Sequence, residues 1–332
     1  SLISPARIPS LDFFSKVREI DPDIIHLHWI NSGMLAIEDL KKFDRPIIWS
    51  MHDMWPFTGG CHYSGGCDRF KSGCGNCPML DHPSSRDLSS KVLKRKVNTY
   101  AGLDLTFVGL SKWMKELAEN AKVVADKPVV HIPNPIDTND FFKVDKKLAR
   151  SLLNLNENKR YILFTSVDPL DKRKGFQYLV DALASLANDS IHLLILGNVA
   201  SQEIRDLKIP YSLFGYLNDS ISLRTLYNAA DVTVLPSLEE NFSNILLESG
   251  ASGTLVTAFN IGGNSDFIRH KENGYLAAPK DGEDLTAGIS WSIQQSETLS
   301  KKLSKEVAEK YGFETIAAKY TEMYKQVLQQ KA

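Results

Sequence analysis

The sequence predicts an α/β protein built from two doubly wound, Rossmann-like domains. Three observations lead to this fold class: a length of 332 residues, short apolar runs that alternate with amphipathic stretches, and a proline-rich segment before the middle of the chain. A chain of this length exceeds one ordinary hydrophobic core and suits two domains of common size. Apolar runs of strand length that alternate with helical patterns are typical of parallel sheets covered by helices.

The predicted strands fall into two groups, one in each half of the chain. Four lie in the first half, so we interpret the N-terminal domain as incomplete, or truncated. Five lie in the second half, which is enough for a complete doubly wound domain. The predicted strands are residues 24–28, 46–51, 105–108 and 129–132 in the first half, and 161–164, 191–196, 212–214, 232–235 and 255–258 in the second.

The boundary between the domains is predicted at Pro133-Asn134-Pro135, because two prolines restrict the backbone and prevent a strand or helix from continuing through them. Residues 1–133 then form an N-terminal domain with a cysteine-rich loop at residues 58–80, and residues 134–312 form a C-terminal domain. Apolar positions in residues 313–332 predict a final amphipathic helix, which we expect to pack back on the N-terminal domain.

Composition and charge exclude several classes of partner. With 39 Lys and Arg against 40 Asp and Glu, the formal net charge is -1, so nucleic acid is not expected as a partner. The longest apolar runs are far shorter than the roughly 20 residues of a membrane-spanning helix. The start of the chain shows no secretion signal, and all four cysteines lie between Cys61 and Cys77, unlike a secreted disulfide framework. We therefore expect a cytoplasmic location.

The most informative segment follows the predicted strand at residues 232–235. A helix predicted to start near Ser243 would direct its free amides and the positive end of its dipole at an anion there. Glu240 lies in the preceding loop, whereas Glu248 lies in the helix among small and apolar residues, where a buried carboxylate needs a partner such as a sugar hydroxyl. An isolated pair of glutamates at this spacing is more often a pair of solvated surface charges.

A basic turn follows the first predicted strand of the second half. It reads Asp171-Lys172-Arg173-Lys174-Gly175 and opens a helical pattern. When a sugar leaves a diphosphate, negative charge grows on the phosphate, and a fixed cation stabilises that state. Lys174 is the main candidate for this role, although most charge clusters of this kind are simply solvated.

These segments together resemble the retaining GT-B glycosyltransferases of glycosyltransferase family 4, of the type that acts in bacterial polysaccharide biosynthesis. The resemblance rests on the E-x7-E spacing from Glu240 to Glu248, on the Lys174-Gly175 element and on the Gly262-Gly263 turn. The chain departs from the family in two places. Ser265 and Asp266 replace a Pro and a Glu after the glycine pair, and Asp168 replaces an Arg six residues before Lys174.

The resemblance implies a GT-B fold with an interdomain cleft, an acceptor-side N-terminal domain and a nucleotide-sugar-binding C-terminal domain. It implies that Glu248 holds the ribose of the donor, Glu240 the transferred sugar and Lys174 the diphosphate. His52, which follows the predicted strand at 46–51, matches the active-site His of the family, so His52, Lys174 and Glu240 are the predicted catalytic residues. The predicted donor-binding residues are Arg173, Lys174, Phe214, Gly215, Glu240, Asn241, Phe242, Ser243, Asn244, Ile245 and Glu248.

The activity implied is retaining transfer of a hexose from a nucleotide diphosphate sugar, with a UDP-sugar such as UDP-glucose favoured. The acceptor would be a glycan or a lipid-linked sugar in polysaccharide or exopolysaccharide biosynthesis. No catalytic metal is expected, since Asp21-Pro22-Asp23 precedes its strand and so offers no Asp-x-Asp site at a strand end. The alternatives are a GDP-sugar transferase, a nucleotide-sugar 2-epimerase, a glycosidase, and an inactive nucleotide-sugar-binding fragment.

The cysteine-rich loop carries four soft ligands, Cys61, Cys67, Cys74 and Cys77, set among glycines. In a reducing compartment this favours structural zinc, because four thiolates form a closed tetrahedral site. Two disulfides or four free thiols are the alternatives, and His62 is a spare ligand. The loop also resembles a subset of bacterial polysaccharide glycosyltransferases and is expected to shape the acceptor pocket.

A basic patch in a predicted helix comprises Lys91, Lys94, Arg95 and Lys96. Such a patch is usually a solvated helix face. Peripheral attachment to anionic lipid, on the inner face of the cell membrane, is the functional hypothesis for it.

Overall fold

The computed structural model describes residues 3–8, 13–166, 171–186, 188, 190–197, 204 and 207–329. Asp168 lies outside these residues. The described chain divides into two compact units. Unit 1 contains the residues up to Pro133 and those from Ala318 onward, and unit 2 is Asn134–Ala317. The division falls within the predicted proline-rich boundary.

Unit 1 is built on a parallel sheet of four strands in the order β1-β2-β3-β4. The central strands β2 and β3 are buried along their whole length, as expected of a parallel sheet covered on both faces. The strands are β1 (Ile25–Leu27), β2 (Ile47–Met51), β3 (Leu105–Gly109) and β4 (Val129–His131), and the helices of this part of the chain are α1 (Phe13–Ile20), α2 (Leu88–Tyr100) and α3 (Lys112–Glu119).

Unit 2 contains a parallel sheet of six strands in the order β10-β9-β8-β5-β6-β7. The strands are β5 (Arg160–Thr165), β6 (Ile191–Leu196), β7 (Tyr211–Leu213), β8 (Val232–Leu235), β9 (Leu255–Phe259) and β10 (Gly274–Ala277). The helices are α4 (Lys146–Leu152), α5 (Phe176–Leu186), α6 (Ser220–Ala229), α7 (Asn244–Ala251), α8 (Asn264–Phe267) and α9 (Gly282–Tyr311), followed by α10 (Phe313–Gln329), which begins in unit 2 and ends in unit 1.

The predicted α/β class with two parallel-sheet domains is confirmed. All nine predicted strands are present, with ends that agree or differ by one residue. Strand β10 was not predicted, because its four residues, Gly-Tyr-Leu-Ala, carry too short an apolar pattern to stand out. Within the part of the chain that the structure describes, none of the helices is both long and apolar enough to cross a membrane.

Helix α2 corrects the interpretation of the basic patch. Lys96 is 0% exposed, and its ammonium donates to the carbonyl oxygens of Trp55 and Thr58 and lies 3.6 Å from the centre of the Trp55 ring. Arg95 is half-buried and pairs with Glu38. Of the four basic residues only Lys91 and Lys94 are exposed, so the prediction of a solvated face with four charges was wrong.

A buried carboxylate ties the first helix of unit 2 to its sheet. Asp231, immediately before β8, is 1% exposed and accepts hydrogen bonds from Arg150 Nη2 at 2.7 Å, Lys146 Nζ at 2.9 Å and the Tyr161 amide at 2.8 Å. Two bonds come from α4 and one from β5. The Asp231 carboxylate therefore connects α4 to the amino ends of β5 and β8.

Candidate active site

The loop at the carboxyl end of β8 holds the first glutamate of the E-x7-E motif in a buried position. Glu240 is 8% exposed. One of its carboxylate oxygens accepts hydrogen bonds from Lys174 Nζ at 3.0 Å and from Ser237 Oγ at 3.4 Å. Lys174 lies in the turn after β5, so two loops that are distant in sequence bring an anion and a cation together. A buried carboxylate requires such a partner.

This ion pair stands where the strand order of unit 2 reverses. The chain winds from β5 outward through β6 to β7, and then returns to the other side of β5 to add β8, β9 and β10. Ligands of open parallel sheets bind in the crevice that such a reversal opens at the carboxyl ends of the strands. The loops after β5 and β8 border that crevice and carry Lys174 and Glu240.

Two glycines allow these loops to approach so closely. Gly175 has φ +67°, and a Cβ atom there would lie 1.9 Å from the carbonyl oxygen of Pro236. Gly262 has φ +51°, and its Cβ would lie 1.8 Å from the carbonyl oxygen of Glu240, which also accepts a hydrogen bond from the Gly263 amide at 3.2 Å. Any side chain at either position would push the loops apart. Both glycines thus shape the surroundings of Glu240.

The second glutamate of the motif lies in α7 and has a tyrosine partner. Tyr227, in α6, donates its hydroxyl to Glu248 Oε2 at 2.8 Å. Burial raises the pKa of the Glu248 carboxyl, while the hydrogen bond from Tyr227 acts in the opposite direction. The bond orients the carboxylate through one oxygen. Its other oxygen, Oε1, is the one suited to a ligand hydroxyl.

The two predicted donor-binding residues of the basic turn, Arg173 and Lys174, have different partners. The guanidinium of Arg173 is held by Asp171, with Nη2 at 2.5 Å from Oδ2 and Nε at 3.2 Å from Oδ1. The carbonyl oxygen of Arg173 accepts the Leu238 amide at 2.7 Å, which ties the turn to the loop after β8. Arg173 therefore fastens the two loops together, and Lys174 is the cation presented to Glu240.

The start of α7 places the polar residues of the motif as predicted at its first turn. Ser243 is the N-cap, in extended conformation, and Asn244 is the first helical residue, with its Oδ1 accepting from Asn134 Nδ2 at 3.3 Å. Phe242 differs from the prediction. Its side chain is buried against the rings of Phe267 and Tyr311, so it belongs to the core of unit 2 and does not line the turn.

The remaining predicted donor-binding residues lie on the loops after β7 and β8. Phe214 is half-buried and directly follows β7, and the carbonyl oxygen of Gly215 accepts the Gly197 amide at 2.7 Å. The Asn241 side chain is buried, whereas Ile245 is half-buried on α7. The loop after β7 is therefore tied by its backbone to the residue that follows β6, at the same edge of the sheet.

A wide basic cavity of about 800 Å³ lies elsewhere in unit 2. Its lining includes Lys143, Lys146 and Arg160, which surround the amino ends of the strands near Asp231. Ligand sites of open parallel sheets lie at the carboxyl ends. A ligand is therefore expected at the Glu240 loop and not in this cavity.

In unit 1, His52 follows β2 as predicted and forms a pair with a second histidine. His52 Nε2 and His28 Nδ1 are 2.9 Å apart, and His28 follows β1, the neighbouring strand of the sheet. Partial burial lowers the pKa of both rings, and at His52 the neighbouring His28 lowers it further while Asp53 acts in the opposite direction. One neutral imidazole donates and the other accepts, so His28 orients His52.

A third histidine extends this pair into a network. His26 stacks on His28 with ring centres 4.5 Å apart, and its two nitrogens bond Tyr324 at 2.6 Å and Ser50 at 2.9 Å. Ser50 in turn lies 3.0 Å from the hydroxyl of Tyr320. Both tyrosines belong to α10, so the end of this helix contributes to the polar cluster beside β1 and β2.

Comparison with known proteins assigns the family. Residues 145–310, which make up half of the 332 residues, match the family of glycosyl transferases group 1. The chain belongs to this family. Residues 3–140 match Glycosyltransferase Family 4, so the two matches together cover most of both units of the transferase.

Two curated relatives of the transferase are glycosyltransferases. An uncharacterized glycosyltransferase of Methanocaldococcus jannaschii is 26% identical over 91% of this chain and 82% of its own length. A putative colanic acid biosynthesis glycosyl transferase of Escherichia coli is 31% identical over 73% of this chain and 60% of its own. Both agree with the family match.

A solved structure shares the fold of the transferase. The Anabaena protein HepE, in complex with UDP and glucose, superimposes with a TM-score of 0.68 at 19% identity, over 94% of this chain and 81% of that one. The similarity confirms the predicted GT-B fold class.

Three residues of the site were missed by the sequence interpretation. Tyr227 carries no motif and reads as an ordinary apolar position of a helix. His26 and His28 had a usable signal, because two histidines two residues apart on a strand point to the same face, next to the strand that precedes His52. Only the partners of these residues, which come from other elements, mark them as part of the site.

The histidine network predicts a loss of stability in acid. Burial, followed by the neighbouring His28 and His52, lowers the pKa of His26 from 6.5 to about 4. The unfolded chain takes up this proton as the pH falls through 6.5, whereas the folded chain resists it until about pH 4. His26 therefore destabilises the transferase progressively across this window.

The check is urea unfolding of the wild type and His26→Gln at pH 7.5 and pH 5. We expect the variant to lose less stability on acidification than the wild type. Since the wild-type side chain bonds Tyr324 and Ser50, the variant is also expected to be less stable at the higher pH. If the stability of both proteins fell equally between pH 7.5 and pH 5, His26 would not be the group that destabilises the wild type in acid.

Proposed function

We propose that the transferase moves a hexose from a UDP-sugar to a glycan or lipid-linked acceptor in polysaccharide biosynthesis, with retention at the anomeric carbon. The observation that carries the proposal is the Lys174–Glu240 pair, 3.0 Å apart, at the carboxyl edge where the strand order of unit 2 reverses. UDP is favoured because the structural relative HepE was solved with UDP and glucose. A polysaccharide acceptor is favoured by the relative named for colanic acid biosynthesis.

In this proposal the diphosphate of the donor lies between Lys174 and the start of α7. The bond between the anomeric carbon and the phosphate oxygen breaks, and its electron pair stays on the phosphate. Lys174 and the free amides at the start of α7 stabilise that growing charge without reorganising, so this scheme assigns the role to protein groups rather than to a metal. Glu240 positions the ammonium and accepts from a sugar hydroxyl.

The acceptor hydroxyl attacks the same face of the anomeric carbon from which the phosphate leaves, through an oxocarbenium-like state. Its proton passes to the departing phosphate oxygen, so charge and protons balance. His52 would contact the transferred sugar, and His28 would hold its ring in one tautomer. Glu248 would accept from the ribose hydroxyls of the nucleotide, with Tyr227 fixing its orientation.

Calorimetric titration with UDP, GDP and UDP-glucose, without added metal, tests the donor site. We expect UDP and UDP-glucose to bind and GDP to bind more weakly. In Glu248→Ala the affinity for UDP should fall about 10- to 100-fold, because hydrogen bonds to a charged group contribute about 1.5–3 kcal/mol. Glu283→Ala, an exposed glutamate of the same unit, is the matched control and should bind as the wild type does.

The alternative outcomes separate the remaining hypotheses. Tighter binding of GDP than of UDP would mean that the donor is a GDP-sugar. If Glu248→Ala binds UDP as the wild type does, Glu248 does not hold the ribose. Analysis of the product from UDP-glucose distinguishes transfer from epimerisation, since an epimerase releases a sugar of changed configuration and makes no new glycosidic bond. A product with inverted anomeric configuration would refute retention.

A further inference from the structure

The cysteine-rich loop of unit 1 encloses a small cavity onto which all four of its cysteines open. Each thiol is half-buried and free, and the rest of the lining is largely apolar or glycine. We propose that Cys61, Cys67, Cys74 and Cys77 bind one structural zinc ion as four thiolates. The site lies wholly within unit 1 and is independent of the donor site proposed above.

The chain changes direction between Cys74 and Cys77, with a bend at Asn76. Gly75 has φ +135° and Asn76 has φ +47°, both in the left-handed region. Arg69 clamps this bend, because its Nη1 donates to the carbonyl oxygens of Gly75 and Asn76. The geometry of this pair is therefore set by backbone and by a side chain that is not a ligand.

A buried lysine lies close to the cysteines of the site. Four thiolates around Zn²⁺ leave two negative charges, which are costly to bury without a partner. The amine of Lys96 donates to the carbonyl oxygens of Trp55 and Thr58, which shortly precede Cys61. Burial lowers the pKa of the Lys96 amine to about 7, whereas the nearby Cys61, Asp53 and Cys74 favour its charged form.

A glycine lets the backbone of the loop approach the Cys74 sulfur closely. The backbone N–H of Gly59 donates to the sulfur of Cys74. A Cβ atom at Gly59 would lie 2.9 Å from that sulfur and 2.6 Å from the carbonyl oxygen of Ser89, so this close approach requires glycine.

The structure excludes His62 as a zinc ligand, and it shows that the four sulfurs must move before they can bind the ion. His62 cannot serve, because its Nδ1 bonds Asp53 at 2.6 Å and its Nε2 bonds Ser4 at 2.8 Å. Across the described residues, no three His, Cys, Asp or Glu side chains already stand at metal-binding distances. The four sulfurs must therefore move inward to bonds of about 2.3 Å, which couples binding to ordering of the loop.

The ion would stiffen the segment that follows β2. Asp53 accepts a hydrogen bond from His62, and the Met54 amide donates to the carbonyl oxygen of His62 at 2.9 Å. The residues that follow His52 therefore bond directly to the cysteine-rich loop. Four protein ligands leave no open position for water or substrate, which makes the role structural.

The test begins with the wild-type transferase, expressed with zinc in the medium and purified under reducing conditions. Elemental analysis should find one zinc ion per chain, and exchange for Co²⁺ should give the thiolate charge-transfer absorption of a tetrahedral sulfur site. Cys74→Ser should lose the zinc, whereas Ser64→Ala, which lines the same cavity, should keep it.

Three results would overturn the proposal. They are a protein without zinc that has four reactive thiols, a mass lowered by the hydrogens that two disulfides lose, and a Co²⁺ spectrum without thiolate absorption. If Cys74→Ser does not fold, the wild-type protein still decides, because zinc binding predicts thiols that react slowly until a chelator is added. Equal reaction rates with and without the chelator would refute it.

Discussion

Replacing Lys174 with alanine is expected to lower the turnover of UDP-glucose by about 100- to 1,000-fold, the usual effect of removing one preorganised group that stabilises charge in a transition state. The ammonium lies 3.0 Å from Glu240 at the edge where the diphosphate would leave. The ammonium stabilises the phosphate most strongly in the transition state, when the bond to the sugar breaks. Its removal should therefore lower kcat more than it lowers donor affinity.

The measurement is the initial rate of UDP release from UDP-glucose, accompanied by calorimetric binding of UDP. Lys172→Ala is the matched control, because Lys172 belongs to the same basic turn but its side chain is exposed. Since Lys174→Ala also leaves Glu240 without its cation, the thermal stability of both variants is compared. Activity of Lys174→Ala within a few-fold of Lys172→Ala would refute the catalytic role.

The second large effect concerns stability and not catalysis. Asp231→Ala should destabilise unit 2 by about 3–5 kcal/mol, the usual cost of removing one partner from a buried ion pair. Arg150 is 5% exposed and would keep its charge without the carboxylate that now lies 2.7 Å from its Nη2. The Tyr161 amide at the start of β5 would lose its acceptor as well.

Urea unfolding followed by circular dichroism measures this loss. The control is Glu157→Ala, which removes a largely exposed partner of Lys147 at 3.8 Å and should change stability by less than about 1 kcal/mol. The backbone bond from Arg150 to the carbonyl oxygen of Glu157 is kept in that variant. A loss of similar size in both variants would show that Asp231 is not the anchor.

Most of the fold could be predicted from sequence because its determinants are local. The runs that became β2, β3, β6, β8 and β9 are mostly apolar, as is typical of buried parallel strands. The E-x7-E motif could be placed at a strand end because it directly follows β8. Its helix could be placed because Ser243 precedes an apolar helical pattern.

Some residues have partners that are distant in the chain, and only the tertiary structure showed their environment. Lys96 looked like one of four surface charges, yet residues about 40 positions away enclose it. Phe242 stood in a ligand-binding motif, yet its ring packs on Tyr311. Neither hydropathy nor spacing reports such contacts, because they depend on which faces of other elements come together.

The sequence by itself determined the α/β class, the two domains, the order of strands along the chain and the candidate pair Glu240 and Glu248. The tertiary structure decided that Lys174 pairs with Glu240, that Tyr227 orients Glu248 and that His28 orients His52. The physical reason is the range of the forces. Apolar periodicity and backbone restriction act over a few residues, whereas hydrogen bonds and ion pairs between side chains exist only once the chain has folded.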